Sequence, residues 1–405
     1  MKILHLSPYL PDLATNHAGG VCMGRQIETL RALGNDVTVL SFLASDFDKK
    51  LAEKYRGDSR YDFVPLSRMG RAIHAVLFPW LPACFAARTS LRFAYRLYRH
   101  VKAERIEAIH AEYAAMGQYQ WIRRLFPHLK FIMTEHDVTL QSYERKLEGK
   151  TGIQRLLLLW QTKRIAACEA RYLTKADTVL TFSGKDKRLL ETKYSLANVA
   201  VMNPYFGIED VDIQKGHLRA LAQGNRQAEN RTEEIAFLGQ MGRAENAQAA
   251  ERLIGICRKL RAQGYDIRLS IIGNAPPKRL LEAALAAGDF VDVTGFVEDV
   301  DAYLMRAKAA VFPLMEGAGI KLKVLRSLAL AIPVVTTDIG AEGIDEAGTV
   351  LKLAQTDEEF LQAIRCILDL GEADYARLCQ RSCAYVKEHF SWGKSEQVLA
   401  RLYGE

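Results

Sequence analysis

Between Ala309 and Thr337 a strand, a glycine-bearing loop, a helix and a second strand follow one another with no spare residues, and this stretch limits the fold more than any other. Ala309-Ala310-Val311-Phe312 reads as a buried strand, since a short apolar run bounded by loop signals suits the inside of a sheet. Pro313 to Ile320 then carries Glu316 with Gly317 and Gly319. A helix pattern starts at once, with Leu322, Leu325, Leu328 and Ala329 on one face, and Pro333 to Thr337 closes the unit. Such units build parallel sheets covered by helices. Glycines admit close backbone approach, a helix N-terminus offers unpaired N–H groups, and Lys321 and Lys323 add positive charge, which together describe an anion site.

The same order of elements recurs along the chain. Ile3 to Leu6 is a strand, Ser7 to Gly20 a loop ending in Gly19-Gly20, and Met23, Ile27, Leu30 and Leu33 repeat at helical spacing before the strand Val37 to Phe42. After residue 233 the pattern restarts with a strand ending at Gly239, a helix from Ala247 to Ala262, a strand from Ile267 ending at Gly273, a helix from Leu280 to Ala287 and a strand over Val291 to Phe296. Glycines at strand ends sit where ligands gather in open parallel sheets. A length of 405 residues exceeds one ordinary core, so two domains are expected. Their boundary falls in the polar stretch 208–233, read as a linker, leaving an N-terminal domain at 1–207 and a C-terminal one at 234–383.

Composition narrows the class. A hydrophobic share of 49% with 25% charged residues belongs to a globular protein. The net charge of +7 suits phosphate ligands, an anionic membrane surface or solubility alone. Cys22, Cys84, Cys168, Cys257, Cys366, Cys379 and Cys383 are odd in number and lack CxxC spacing, so they read as reduced thiols and not as a disulfide frame or zinc site. No run of eighteen apolar residues occurs, and the first apolar run is too short for a signal peptide, so a cytoplasmic place is expected. The first loop lacks GxGxxG after its strand, which speaks against a nicotinamide dinucleotide.

Two regions carry further candidates. Residues 68–102 interleave Arg68, Arg71, Arg88, Arg92, Arg96, Arg99 and Lys102 with Phe78, Trp80, Phe85, Phe93, Tyr95 and Tyr98. Both a helix lying on an anionic bilayer and an ordinary surface helix with solvated cations fit that pattern. His110 and His136 each stand where an apolar strand runs out; His136 is the better functional candidate, with Glu135 and Asp137 beside it and a polar loop, Thr139 to Gly149, behind it.

Glu316-Gly317-Ala318-Gly319 with the helix behind it, Pro333 to Thr337, Gly340-Ala341-Glu342-Gly343-Ile344, Phe237-Leu238-Gly239-Gln240-Met241, Ile271-Ile272-Gly273, Thr294-Gly295-Phe296-Val297, Glu135-His136-Asp137 and Phe390-Ser391-Trp392 together resemble the landmarks of family 4 glycosyltransferases of the GT-B fold. The resemblance implies an α/β chain of two Rossmann-like, doubly wound domains facing across a cleft, with a last segment, 384–405, returning to the N-terminal domain. It implies a UDP- or GDP-linked nucleotide sugar held mainly by the C-terminal domain and a glycan or lipid-linked acceptor held by the other. Retention, no metal or other cofactor, and a role in cell-envelope polysaccharide or glycolipid assembly, cytoplasmic or peripheral on the inner face of the membrane, go with it. Nucleic acid is not among the implied partners. By the same likeness Glu316 contacts the donor sugar and His136 stands at the reaction centre. Gly317 and Gly319 offer N–H groups to sugar or phosphate, Gly239, Gly273 and Arg243 line the donor site, and Gly19 and Gly20 approach donor phosphate or acceptor.

Two departures stand out. The lysine that usually follows the family's phosphate-binding arginine is missing from Ala244 to Ala250, so Lys321 and Lys323 are candidates for its role. The second glutamate of the family's pair, which binds ribose hydroxyls, falls on Val324 by direct counting or Arg326 by aligning the helix, and a guanidinium accepts no hydrogen bond. Arg326 therefore reads as a contact to an anionic part of the donor or as a sign of decayed binding. A non-catalytic paralogue that binds a sugar nucleotide or partner enzyme, and a sugar-nucleotide epimerase, are the alternatives to a transferase.

Overall fold

The computed structural model describes residues 1–15, 17–209 and 233–404, the side chains of Arg68, Arg71 and Ala75 excepted. The chain divides into two compact units, Met1–Gly207 with Gly393–Glu405, and Ile208–Trp392. Most of the 208–233 stretch lies outside the described residues.

The first unit is a seven-stranded sheet in the order β3-β2-β1-β4-β5-β6-β7. Its strands are β1 (Lys2–Ser7), β2 (Asp36–Leu43), β3 (Tyr61–Pro65), β4 (Ala108–Glu112), β5 (Lys130–Glu135), β6 (Thr178–Thr181) and β7 (Val199–Val201), every neighbouring pair parallel. Helices cover both faces, so central strands are buried throughout: Ile3 to Ser7 of β1 and all of β4 are shut off from solvent. Leu4, Leu6, Phe42, Phe93, Ile109, Phe131 and Ile165 meet in one core. The helix Trp392–Tyr403 completes this unit. Ser395 donates to the Asn203 carbonyl at 3.0 Å, and Lys130 Nζ donates to the Leu402 carbonyl at 3.0 Å.

The second unit is a six-stranded parallel sheet ordered β10-β9-β8-β11-β12-β13. It comprises β8 (Glu233–Leu238), β9 (Ile267–Ile272), β10 (Val291–Gly295), β11 (Ala309–Phe312), β12 (Val334–Thr336) and β13 (Lys352–Leu353). Each sheet reverses its winding once, between β1 and β4 and between β8 and β11. Ligands in such sheets bind outside the carboxyl ends of the strands at that reversal.

Several sequence expectations change. The helix Glu372–Phe390 runs unbroken through residue 384, and the chain passes to the first unit at Trp392 and Gly393. The polar loop read at Thr139 to Gly149 is mostly a helix, Thr139–Leu147, with Leu140 buried. The single basic, aromatic face read over 68–102 is three helices, Arg68–Leu77, Ala83–Ala86 and Leu91–Glu104. Phe85 and Phe93 belong to the core, Arg96 is ion-paired with Asp62, and Arg88 is buried. Arg92, Tyr95, Arg99 and Lys102 keep an exposed face on the third helix.

Candidate active site

In the first unit the switch point holds one carboxylate among three imidazoles. Glu112 ends β4 and is wholly buried. His5 Nε2 lies 3.0 Å and His110 Nε2 3.3 Å from its Oε1, and His136 Nε2 lies 2.7 Å from Oε2. The register explains the grouping: His5 on β1 pairs with His110 on β4, and alternation along β4 puts His110 and Glu112 on one face. Burial alone would raise the Glu112 carboxyl, but hydrogen bonds from His110, His136 and His5 outweigh it and hold the group well below the usual carboxylate range. A carboxylate only accepts, so each Nε2 that contacts it carries the proton. In its neutral form His136 therefore keeps Nδ1 as an acceptor. His110 Nδ1 accepts from the Tyr403 hydroxyl at 2.7 Å, which ties the C-terminal helix to this cluster.

The His136 ring stacks on Tyr113, with centroids 4.0 Å apart and 9° between planes. Tyr113 holds a left-handed backbone at φ 66°, unusual for a bulky side chain and a mark of local strain. Gly19 fits beneath this pair. A Cβ there would stand 2.2 Å from the Tyr113 hydroxyl and 3.5 Å from His136 Nδ1, so only glycine lets the helix Ala18–Ala32 start so close. Gly20 donates to Nδ1 of the capping His17 at 2.9 Å. Gly19, Gly20 and His136 are thus brought together. The carboxylate on His136 is Glu112, not the flanking Glu135, whose side chain leaves the strand end in another direction. Glu135 is buried with both oxygens unbonded among the described residues, and burial, then Glu169 and Asp137, push its carboxyl well up.

His5, His110 and Glu112 also bring three ligand atoms within 4.8 Å of one another, the one such group among the described residues. His110 Nε2 also lies 2.7 Å from Thr134 Oγ1, and His5 Nε2 lies 3.0 Å from Glu112 Oε1.

In the second unit Gly239 and Gly273 cross at the ends of β8 and β9. Gly273 sits at φ 146°, and a Cβ there would fall 1.7 Å from the Gly239 carbonyl oxygen. Gly239 lies against the Asn246 side chain. Arg243 caps the helix Ala244–Ala262, mostly exposed and paired with Glu245. After β11 the loop turns through Gly317 at φ 116° and Gly319 at φ 69°, and Glu316 stands exposed beside them. Lys321 Nζ donates to the Ala318 and Gly319 carbonyls at 3.1 and 2.5 Å and lies 3.8 Å from Glu342, so it braces its own loop. Lys323, at the start of the helix Leu322–Ala329, donates to Asn246 Oδ1 at 2.7 Å. Its ammonium lies 4.9 Å from the Phe237 ring centre and 5.5 Å from that of Phe312. Burial, then the charges of Lys321 and Arg243, lower it to about 7. Arg326 points away from this group and pairs with Asp301 at 2.7 Å, while Val324 is buried. Sequence reasoning passed over Asn246, Glu112, His5, Tyr113 and Tyr403.

Two open parallel sheets, each with bare glycines and charged side chains at its switch point, define a two-domain Rossmann-like protein of the GT-B build. Residues 18–205 match the model of the glycosyl transferase 4-like domain, and residues 232–369 that of glycosyl transferases group 1. The chain belongs to the group 1, family 4-like glycosyltransferases. A search of curated proteins found no match. Among solved structures, sucrose-phosphate synthase from Thermosynechococcus elongatus superposes with a TM-score of 0.69 at 16% identity, covering 100% of this chain and 98% of that one. HepE of Anabaena in complex with UDP gives 0.67 at 15% identity with 100% of both chains covered. WaaG, a glycosyltransferase involved in lipopolysaccharide biosynthesis, gives 0.66 at 13% identity, covering 100% of both.

Proposed function

We propose that this chain moves a hexosyl group from a UDP- or GDP-linked sugar, held by the second unit, to a glycan or lipid-linked acceptor held by the first. Transfer goes with retention and without a metal ion or other cofactor, in the assembly of cell-envelope polysaccharide or glycolipid. The observation that carries the reading is the convergence of Arg243, Lys321 and Lys323 on bare glycines at the β8/β11 switch point. Departure of a nucleoside diphosphate builds negative charge, and fixed cations and N–H dipoles stabilise it in place of a metal. Lys323 reaches Asn246, on the helix that Arg243 opens, and so can supply the cation missing from that helix. Glu316 and the N–H groups of Gly317 and Gly319 suit the hydroxyls of a donor sugar. In the first unit His136 Nδ1 suits a substrate hydroxyl, with Glu112 holding the tautomer and Tyr113 the plane. HepE was solved with UDP and with UDP-glucose, which favours a uridine nucleotide.

A place on the inner face of the membrane is supported by one surface of the first unit. Met69, Ile73, Val76, Leu77 and Trp80 are exposed, as are Ile153, Leu156, Leu157 and Trp160 of the helix Gly152–Leu173. Arg164 joins the two segments by donating to the Pro79 carbonyl while its guanidinium lies 4.0 Å from the Trp160 ring centre. An apolar surface edged by Arg155, Lys163 and Arg164 suits anionic lipid. None of the described helices is long and apolar enough to cross a membrane.

Arg326, engaged by Asp301, and the buried Val324 leave no carboxylate for a ribose at those positions, which favours a second reading, a catalytically weakened paralogue. Incubation with UDP- and GDP-hexoses separates the two. A transferase releases nucleoside diphosphate, slowly to water and faster to an acceptor; a paralogue binds the donor and releases none.

A further inference from the structure

Arg88 is the described basic side chain of the 68–102 segment that the fold takes inside, at 7% exposure. Its backbone is pinned, the N–H donating to the Phe85 carbonyl at 2.9 Å and the carbonyl accepting from the Tyr119 hydroxyl at 2.7 Å. The guanidinium lies against the Tyr9 ring, 4.8 Å from its centre. Nη1 is buried without a hydrogen-bond partner, and among the described residues no carboxylate pairs with the group. An aromatic face offsets part of the cost of burying a cation, but it satisfies none of the guanidinium N–H groups. A buried charge left without a counter-charge is strongly unfavourable.

The same Tyr9 ring lies 4.9 Å from His17, the cap of the helix Ala18–Ala32. That helix has no acidic residue in its first turn, and the N–H groups of Ala18 and Gly19 find no acceptor among the described residues. Helix N-termini favour anions through those N–H groups and the macrodipole. The Tyr9 ring thus touches both the Arg88 guanidinium and the residue that caps this helix. Beyond Tyr9 the aromatic contacts continue: Tyr9 meets Tyr113 edge-on at 5.8 Å, and Tyr113 stacks on His136.

We infer that Arg88 and the N-terminus of the helix Ala18–Ala32 bind an anionic group, a phosphate or carboxylate, carried by the acceptor. The inference rests on the first unit being the acceptor side with His136 at its reacting hydroxyl. The anion then sits beside the Tyr9 and Tyr113 rings that lead to that histidine, and the acceptor class narrows to phosphorylated sugars, phosphorylated lipid headgroups and uronates.

Calorimetric titration of the full chain tests this with inorganic phosphate, glucose 6-phosphate, glucuronate and uncharged glucose as probes. At least one anion binds the wild type while glucose does not, Arg88→Gln weakens that binding at least tenfold, and saturating UDP leaves it in place. Ala18→Asp keeps the fold, since an acidic residue in a first helical turn is favourable, and repels the anion, so it serves if Arg88→Gln is unstable. Three results overturn the inference: no anion binds the folded wild type, binding survives in both variants, or UDP displaces the anion, which would assign it to the donor diphosphate. Failure of UDP itself to bind would instead count against the proposed function.

Discussion

Replacing Glu112 by glutamine separates the network around His136 from ordinary packing. The carboxylate accepts from His136 at 2.7 Å, His5 at 3.0 Å and His110 at 3.3 Å, and an amide of the same shape has one oxygen and one NH2. Whichever way the amide turns, at least one imidazole N–H faces a second donor, and that ring must change tautomer or lose its bond. A hydrogen bond to a charged group contributes about 1.5–3 kcal/mol, and a buried donor left unpaired costs about 1–3 kcal/mol. Glu112→Gln therefore loses about 2–4 kcal/mol of stability at pH 7. The pH dependence identifies the cause. Because the folded carboxyl is depressed below its ordinary value of 4.5, its contribution is present above that value and is lost as pH falls through the folded value. Urea unfolding should show the gap between wild type and variant at full size from pH 5 to 7 and shrinking below about pH 4. If His136 relies on Glu112 for its tautomer, turnover drops more than tenfold with donor KM little changed. A gap under 0.5 kcal/mol, or one that stays constant to pH 3, would refute the reasoning.

Other outcomes follow from single side chains. Lys323, lowered to about 7, must take up a proton to meet a diphosphate, so UDP affinity falls as pH rises from 7 to 9 and the heat of binding depends on the buffer's ionisation enthalpy. Lys323→Gln removes both effects, and a pH-independent wild-type affinity would contradict them. Gly19→Ala drives a methyl against the Tyr113 hydroxyl; turnover falls more than tenfold while the melting temperature moves by only a few degrees, and unchanged turnover would count against the Gly19, Tyr113 and His136 arrangement. Glu169, raised from 4.5 to about 7 mainly by burial, binds a proton in the folded state that the unfolded chain has lost, so stability declines as pH rises from 4.5 to 7. Glu169→Gln gains up to about 3 kcal/mol on wild type above pH 7, an upper bound from about 1.4 kcal/mol per unit; a variant less stable than wild type at pH 8 would oppose this.

The fold was legible because strands buried on both faces read as unbroken apolar runs, with glycines marking their ends. Tyr61–Pro65 escaped notice as an edge strand of mixed polarity ending in proline, and Thr139–Leu147 because its helix buries little beyond Leu140. Candidate residues close in sequence, such as Gly317, Gly319, Lys321 and Lys323, were readable from one loop. Glu112 was not, since its three histidines come from β1, β4 and the end of β5. A signal did exist: His5, His110 and Glu112 are titratable residues inside otherwise apolar strands, and His110 and Glu112 stand two apart, on one face of β4. Arg88 reads from sequence as one more cation of an exposed face, and only the fold shows it buried.

The central claim is that the second unit binds a nucleotide sugar through Arg243, Lys321 and Lys323. A thermal-shift screen of UDP-, GDP- and ADP-hexoses on the full chain tests it most directly, because a ligand that binds only the folded state at a hundred times its Kd adds about 2.7 kcal/mol of stability. The prediction is that one nucleotide class raises the melting temperature and that Lys321→Ala/Lys323→Ala abolishes the rise. No shift with any of the three, or an equal shift in the double variant, would contradict it.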